Sequence, residues 1–328
     1  MIIMDVAQLV NEIAQVIQSR GGLKSIYFVG CGGSQAALYP GVYFLRSEAR
    51  GLIVDLYTSN EFVHNPPKDL DDRSIVVCCS LKGTAETVAA ARLANAAGAV
   101  TIAMTGFPDT PMAEAGQYTL TYSSGDEDKQ NYSASNQATA LRLAMEILNR
   151  FAGYNDYEVA MSIFPKLNEV FVTTKSSLEP LAKQFADQFS DDEVFYVLGS
   201  GPLYFTAYSM ACCHLMEMQW RHAVFLHSGE YFHGPFETTE ANTAVVLFKS
   251  AGRTRALDER VEDFLEKHSR HYLVLDADIT GLRELAPEAA EYFEPIIMTP
   301  LERHFVYEMS LKRGHCMDKR RYMWKEPY

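Results

Sequence analysis

Short apolar runs that alternate with helical stretches constrain the fold of this chain more than any other feature. The runs are rich in β-branched and aromatic residues and show no polar alternation, and amphipathic stretches with the period of an α-helix separate them. Strands that are apolar on both faces and joined by helices are typical of a parallel sheet covered on both sides. In the first half of the chain the predicted strands are residues 26–31, 52–57, 74–79, 100–104 and 118–122.

The same pattern returns in the second half, after a mostly helical stretch at residues 134–190. The strand, glycine turn and helix start at 27–34 (YFVGCGGS) resembles the one at 195–202 (FYVLGSGP), which indicates an internal duplication. We therefore predict an α/β protein of two tandem doubly wound domains, residues 1–155 and 156–328, each with a five-stranded parallel sheet between helices. The predicted strand segments of the second domain are residues 193–201, 223–227, 242–248, 271–278 and 295–298.

Composition and motifs exclude several classes of protein. The formal net charge is −13 and the sequence pI is about 5.2, which disfavours a general nucleic-acid binder because such proteins neutralise phosphates. No apolar run approaches the ~20 residues of a membrane span, and the N-terminal segment lacks the basic region of a secretory signal. The cysteines form no C-x-x-C motif and the histidines no H-E-x-x-H motif, so no metal site or disulfide scaffold is predicted. We expect a globular cytoplasmic protein that binds neither nucleic acid nor membranes.

The two glycine turns predict an anion site, because a turn between a strand and a helix presents backbone N–H groups and the positive helix end to a ligand. A dinucleotide cofactor is the first interpretation to test. The G-x-G-x-x-G fingerprint fails, since Gln35 and Tyr204 stand where the third glycine belongs. A P-loop motif is also absent from the sequence, so the turns favour neither a dinucleotide nor a nucleoside triphosphate.

A second loop, Ser80–Thr87, follows the predicted strand at 74–79 and precedes a helix. The Ser80 and Thr84 hydroxyls, the Lys82 ammonium and free backbone N–H groups suit a phosphate monoester. The alternative is that the hydroxyls only cap the helix. Capping gives no reason for a lysine at the positive helix end, where the dipole disfavours cations, whereas a bound phosphate removes that conflict.

Two residues of the second half are candidates for acid–base catalysis. Glu217 lies in an otherwise apolar helical stretch, where an unpaired carboxylate is costly and burial would suit it to act as a general base. The alternative is a salt bridge to Arg221 one turn later. His233 precedes Gly234 and Pro235 in a predicted turn. A histidine held there can transfer protons near neutrality, and the alternative is an ordinary surface histidine.

The C-terminal stretch is basic within an acidic chain. Its cations face only Asp318 and Glu326, and Tyr322 and Trp324 among them indicate a segment that packs. A solvated basic tail and a nucleic-acid-binding tail are the alternatives. The basic residues are Lys312, Arg313, Lys319, Arg320, Arg321 and Lys325.

The residues of both predicted anion loops resemble the sugar isomerase (SIS) domain family, whose members bind phosphosugars. The family signature is a strand followed by C-G-x-S and a later S-x-S-G-x-T loop, and this chain has Cys31-Gly32-Gly33-Ser34 and Ser80-Leu81-Lys82-Gly83-Thr84. Lys82 replaces the usual second serine, and the loop is one residue shorter before Thr84. The resemblance implies that both predicted domains are SIS domains. The residues that it assigns to the sugar phosphate are Gly32, Gly33, Ser34, Ser80 and Thr84, with Lys82 adding charge.

From about residue 25 to the C-terminus, the chain is similar to the fructosamine-6-phosphate deglycases, and its second half is also similar to the isomerase domain of glucosamine-6-phosphate synthase. The shared motifs are M-E-M-Q-W at 216–220, G-E-Y-F-H-G-P-F-E at 229–237, R-R-Y-M-W-K at 320–325 and Gly125-Asp126-Glu127. The resemblance implies a cofactor-independent deglycase that converts 6-phosphofructosyl amino acids to glucose 6-phosphate and the free amino acid. Glu217 would then move a proton between C1 and C2, and His233 would assist ring opening.

The resemblance also implies a homodimer or larger homo-oligomer with shared sites, and a C-terminal tail that folds back over the site. Within the tail it points to His315, Arg320 and Arg321. We interpret the tail as an electrostatic lid over the phosphate and the substrate carboxylate. Two alternatives stay open. One is an isomerase or deaminase of amino-sugar phosphates, which Glu217 and His233 would serve equally well, and the other is a phosphosugar sensor that binds without turnover.

Overall fold

The computed structural model describes residues 5–124 and 130–326. The chain divides into two compact units, Met1–Lys166 and Leu167–Tyr328, whereas the sequence predicts a boundary after residue 155. Each unit contains one parallel sheet with helices around it. The Gly125-Asp126-Glu127 motif lies outside the described residues.

The first unit is built around a parallel sheet of five strands in the order β2-β1-β3-β4-β5, at the positions that the apolar runs predict. The strands are β1 (Ser25–Val29), β2 (Ile53–Tyr57), β3 (Ser74–Cys79), β4 (Val100–Thr105) and β5 (Tyr118–Thr121). The helices are α1 (Val6–Ser19), α2 (Gly33–Glu48), α3 (Ser59–His64), α4 (Ala85–Ala96), α5 (Pro111–Ala115), α6 (Asn136–Ala152) and α7 (Tyr157–Met161), and 3-10 helices cover Tyr132–Ala134 and Phe164–Lys166.

Burial explains why the apolar runs form the centre of this sheet. Every residue of β1, β3 and β4 is buried, as expected for strands that helices cover on both faces. Helices α2 and α6 lie against each other, and a Cβ on Gly41 would meet the Ala140 carbonyl oxygen at 2.7 Å. Glycine at position 41 therefore permits this close approach. Because β1 and β3 are parallel neighbours, the loops that follow them lie side by side at the carboxyl edge of the sheet.

The second unit has a parallel sheet in the order β7-β6-β8-β9. The strands are β6 (Val194–Gly199), β7 (His222–His227), β8 (Ala244–Lys249) and β9 (Tyr272–Asp276). The helices are α8 (Leu167–Phe189), α9 (Tyr204–Tyr208), α10 (Arg255–His268), α11 (Leu282–Leu285) and α12 (Ala290–Arg313). A π-helix (Ser209–Met218) continues α9, and 3-10 helices cover Gly201–Leu203, Pro235–Thr238 and Ala277–Thr280.

The second sheet has four strands in the described part of the chain, and the prediction of a fifth at 295–298 is wrong. These residues lie inside α12, which runs from Ala290 to Arg313 through two prolines. The buried residues Phe293, Ile297, Leu301 and Phe305 recur at helical spacing and pack on α8. A four-residue apolar run does not distinguish a strand from a buried helix. Here every residue from Ala290 to Met298 is buried, and packing of the longer helix decides the conformation.

The described residues contain no helix that is both long enough and apolar enough to span a membrane.

Candidate active site

The loop between β1 and α2 places Gly32, Gly33 and Ser34 at the carboxyl edge of the first sheet. Gly32 precedes the helix with a φ of 55°, a left-handed conformation that favours glycine. The Ser34 hydroxyl is hydrogen-bonded with the thiol of Cys79 at the end of β3, and burial raises the pKa of that thiol to about 12. Ser34 thus connects this loop with the strand that leads into the second predicted phosphate loop.

The Ser80 side chain shapes the second loop from within. Ser80 is 5% exposed, and its Oγ accepts hydrogen bonds of 3.1 Å from the backbone N–H groups of Gly83 and Thr84. Gly83 has a φ of 100°, and a Cβ there would lie 2.6 Å from the Met112 backbone nitrogen. Glycine and serine at these positions are therefore what the tight loop requires.

The hydroxyl of Thr84 does not cap helix α4. Thr84 is the residue before the helix, yet its side chain makes no capping hydrogen bond and instead lies 2.9 Å from the Thr87 hydroxyl. Within the part of the chain that the structure describes, the N–H groups of Ala85 and Glu86 have no acceptor, as is usual for a first helical turn. Lys82 is exposed beside them, with Nζ 5.9 Å from the Phe107 ring centroid. This loop therefore offers two open N–H groups, an exposed hydroxyl and an ammonium group.

The corresponding loop of the second unit, after β8, is occupied by carboxylates of its own chain. Glu294 on α12 accepts from the Ser250 hydroxyl at 2.8 Å and from the Ala251 N–H at 3.0 Å. Glu291 accepts from the Arg253 N–H at 2.9 Å. Burial raises the pKa of Glu294 well above its usual range. Carboxylate oxygens of α12 thus bind donors of this loop, whereas the loop of the first unit keeps N–H groups without an acceptor among the described residues.

Glu217 lies near the end of the π-helix and is paired with an arginine of the C-terminal tail. Arg320 donates from Nε at 3.0 Å and from Nη2 at 2.7 Å, both to Oε1 of Glu217. The Glu217 side chain is 23% exposed and that of Arg320 is 7% exposed. The alternative partner, Arg221, donates instead to the carbonyl oxygen of Ser190. Glu217 is therefore neither an isolated carboxylate nor bound to its neighbour on the helix, and Oε2 accepts no hydrogen bond from the described residues.

Gln219 and Trp220 hold the tail in place. Gln219 is fully buried and donates from Nε2 to the carbonyl oxygen of His315 at 3.0 Å. The Trp220 backbone has a φ of 55°, and its ring meets the His315 ring edge-on at 4.6 Å between centroids. The Arg321 guanidinium lies 4.2 Å and the Lys319 ammonium 5.1 Å from the Trp220 centroid. The basic tail therefore packs on the segment that carries Glu217 through His315 and its cations. The aromatic residues Tyr322 and Trp324, from which the sequence predicts packing, are themselves exposed.

The surroundings of His315 disfavour the protonated form of its imidazole. Burial, followed by the charges of Arg313 and Lys319, lowers the pKa of His315. Its Nε2 is buried and has no hydrogen-bond partner among the described residues. The side chain is therefore neutral at pH 7, and its ring contact with Trp220 is the interaction through which it holds the tail.

His233 is exposed in the turn that follows β7. Its backbone N–H donates to the Glu230 carbonyl oxygen at 2.9 Å, and the 3-10 helix Pro235–Thr238 begins two residues later, as the Gly-Pro pair predicts. The neighbouring Phe232 packs edge-on against Phe264 of α10. The turn is thus fixed by its aromatic residues while the imidazole remains open to solvent.

The two predicted catalytic residues lie at opposite ends of β7. The helix that carries Glu217 runs back from the carboxyl edge of the sheet, so Glu217 precedes the first strand residue, His222. His233 follows the last strand residue, His227, and backbone hydrogen bonds to the His227 carbonyl oxygen keep that turn local. The six residues of β7 span roughly 16 Å at about 3.3 Å per residue. The length of β7 therefore separates the segment that carries Glu217 from the turn that carries His233.

Comparison with known proteins decides the family. The SIS domain model matches residues 23–147. The chain is 34% identical over 325 residues to the fructosamine deglycase FrlB of Bacillus subtilis, with 98% of each chain covered. It belongs to the SIS-domain fructosamine deglycase family. The fructoselysine 6-phosphate deglycase of Escherichia coli is 25% identical, with 96% of this chain and 89% of that protein covered. The resemblance drawn from the motifs is thereby confirmed.

Solved structures extend the family likeness to the whole described fold. A Salmonella typhimurium structure described as a phosphosugar isomerase has a TM-score of 0.94 and 38% identity, and the match covers 98% of this chain and 99% of that one. The C-terminal domain of glucosamine-fructose-6-phosphate aminotransferase from Francisella tularensis has a TM-score of 0.74 at 19% identity, and the match covers 96% of this chain and 94% of that one. The α/β class with parallel sheets flanked by helices is therefore shared with SIS-type proteins.

The sequence does not predict one pair of buried residues that involves the helix of Glu217. His214, three positions earlier on the π-helix, has Nδ1 within 2.7 Å and 2.8 Å of the two carboxylate oxygens of Glu302 on α12. Both residues are buried. In the sequence, His214 is one of several neighbouring histidines whose spacing matches no metal motif. The sequence carries no signal for Glu302, because the partner lies 88 residues away.

Proposed function

We propose that this chain is a deglycase that converts a 6-phosphofructosyl amino acid and water to glucose 6-phosphate and the free amino acid. The observation that carries the proposal is the full-length likeness to a fructosamine deglycase. The Glu217 carboxylate agrees with it, because Arg320 holds one oxygen while the other accepts no hydrogen bond from the described residues. A carboxylate with one anchored and one open oxygen can take up and return a proton on one face of a substrate.

In the proposed reaction the Ser80 loop holds the phosphate. The open N–H groups of Ala85 and Glu86, the Thr84 hydroxyl and the Lys82 ammonium suit a dianion at the start of a helix. Gly32, Gly33 and Ser34 are assigned to the same phosphate by the family signature. The loop after β8 is not assigned a phosphate, because Glu291 and Glu294 already occupy its donors.

We expect Thr84→Val to raise KM for the phosphorylated substrate about 10-fold with little change in kcat, because a hydrogen bond to a charged group is lost. Thr254→Val is the matched control, since Thr254 occupies the corresponding loop of the second unit and its buried hydroxyl has no partner among the described residues. Steady-state kinetics on both variants measure the effect. An unchanged KM for Thr84→Val would remove Thr84 from the phosphate site.

The chemistry at C1 and C2 follows from the family assignment of Glu217 and His233. His233 would move the proton that opens the sugar ring. Glu217 would take a proton from C1, which forms an enaminol, and return it at C2. The resulting imine at C1 is then hydrolysed. These steps need proton transfer and water, for which side chains of this chain suffice.

The complete site is proposed to form between two copies of the chain. Glu217 and His233 lie at opposite ends of β7, so the His233 that serves one Glu217 would come from a neighbouring copy. This geometry supports the expected homodimer or larger homo-oligomer. The exposed position of His233 in a fixed turn suits a residue that reaches into another subunit's site.

The basic tail is proposed to act as a lid over the substrate. Arg321 and Lys319 lie over the Trp220 ring, three residues after Glu217, and both side chains are exposed. Charges at this place suit the carboxylate of the amino acid that leaves from C1. Arg320 would serve from the same segment by keeping Glu217 in position.

The proposal is tested by a coupled assay for glucose 6-phosphate release from a panel of 6-phosphofructosyl amino acids. Glucosamine 6-phosphate, and fructose 6-phosphate with ammonia, are the controls. We expect release from one or more adducts and a ranking that identifies the amino acid. Turnover of glucosamine 6-phosphate alone would replace the proposal by an amino-sugar-phosphate deaminase. Calorimetric binding of phosphosugars without any turnover would replace it by a sensor.

A further inference from the structure

A buried histidine–glutamate pair involves the helix that carries the proposed catalytic carboxylate and has no part in the reaction as described above. Nδ1 of His214 is 2.7 Å from Oε1 and 2.8 Å from Oε2 of Glu302. The side chain of Glu302 is fully buried and that of His214 is 8% exposed. A buried carboxylate that accepts from one ring nitrogen fixes the tautomer and the orientation of the imidazole.

The opposite nitrogen of His214 is left available. Nε2 has no hydrogen-bond partner among the described residues, and the His214 side chain keeps 8% of its surface exposed. His214 and Glu217 lie three positions apart on the same π-helix. The pair therefore fixes an imidazole whose second nitrogen has no partner among the described residues, three positions before the proposed proton-transferring carboxylate on the same helix.

The other groups that face this pair do not replace it as a proton donor. Burial, followed by the charges of Glu217 and Glu302, raises the pKa of the Cys213 thiol to about 12. Burial also raises the pKa of Glu302, which the charges of His214 and then Arg303 oppose. The thiol is thus uncharged near neutrality, and His214 is the group of this cluster that can exchange a proton through solvent.

We propose that His214, positioned by Glu302, is a second acid–base residue that exchanges a proton with the substrate oxygen at C2 and with the hydrolytic water. This inference rests on the proposed deglycase function and goes beyond it, because the family assignment names only Glu217 and His233. Glu302 is a positioning residue, since it acts through the imidazole.

The proton balance of the reaction calls for such a group. When Glu217 removes the C1 proton, the C1–H electron pair forms the C1–C2 double bond and the C2 carbonyl oxygen takes the proton of Nε2 from His214. Glu217 then returns its proton to C2, and the nitrogen lone pair forms the iminium at C1. Water adds to C1 and gives its proton to neutral His214. The carbinolamine collapses to the aldehyde and the free amine, so histidine and carboxylate return to their starting states.

We expect His214→Gln to lower kcat about 10²-fold or more, because general acid–base groups contribute 10²–10⁴-fold. The alkaline side of the kcat/KM pH profile should also change, because the variant lacks the proposed general acid. Glu302→Gln should keep the imidazole, change the same side of the profile less and lower kcat less. Both readouts separate a catalytic role from a structural one.

The matched control is His304→Gln. His304 is also a buried histidine of this unit, it is paired with a glutamate at 2.8 Å, and it lies on the same helix as Glu302. Its loss should leave kcat and the pH profile unchanged, and thermal unfolding of all three variants controls for folding. If a folded His214→Gln variant keeps more than about a third of kcat with an unchanged pH profile, His214 is not an acid–base residue. If the wild-type protein releases no glucose 6-phosphate from any adduct, the deglycase function itself fails.

Discussion

Glu217→Gln lowers kcat for the 6-phosphofructosyl substrate by 10²–10⁴-fold, the range expected when a general acid–base group is lost. The amide has the shape of the carboxylate, and its carbonyl oxygen can still accept from Arg320, which donates twice to Oε1. It cannot take up the C1 proton. The fold and KM should therefore change little while turnover nearly disappears, and the coupled glucose 6-phosphate assay measures this directly.

Glu284→Gln is the control for the loss of one carboxylate charge, since Glu284 is exposed on α11 of the same unit. It should match the wild-type protein in kcat and KM. Retention of more than ~10% of the rate by a folded Glu217→Gln variant would contradict the proposed role, because such a loss is smaller than acid–base groups typically cause.

Mixing two inactive variants should restore activity if the site forms between copies. Neither Glu217→Gln nor His233→Gln has a complete site in its own homodimer. In a mixed dimer one site carries both substitutions and the other carries none. Random pairing gives mixed dimers for half of the molecules, so co-expressed variants should recover about a quarter of the wild-type activity per dimer.

The control for this complementation pairs Glu217→Gln with the double variant that carries both substitutions. No combination of those chains contains an intact Glu217, so the mixture should stay inactive. If the first mixture also stays inactive although mass spectrometry shows mixed dimers, then Glu217 and His233 do not act in one shared site. In that case a site shared between subunits would not explain why His233 lies at the opposite end of β7 from Glu217.

The arrangement of the first unit is predictable from sequence because its strands are buried on both faces. Each apolar run from Ser25 to Thr121 forms a strand at the predicted place. A continuous apolar run that is bounded by glycine turns is predicted as a buried strand when amphipathic helices separate it from the next run. The position of the phosphate loop follows from the same rule, since loops after parallel strands meet at one edge of the sheet.

For the segment 295–298 the same reasoning predicts the wrong conformation. Its apolar run has the composition of a strand, but residues Phe293, Leu301 and Phe305 around it are buried along one face of α12. The intrinsic preference of four residues for a strand contributes less to stability than the burial of side chains along a helix of 24 residues. Tertiary packing against α8 therefore decides the conformation.

The sequence by itself determined the α/β class, the positions of most strands, the family and the residues that carry its motifs, because these depend on local periodicity and on short stretches of sequence. Only the tertiary structure decided which groups meet. It paired Glu217 with Arg320, joined His214 to Glu302, filled the second unit's loop with Glu291 and Glu294, and placed Glu217 and His233 at opposite ends of β7. The physical reason is that contacts between residues distant in sequence depend on how helices and strands pack, and the spacing of residues along the chain does not contain that information.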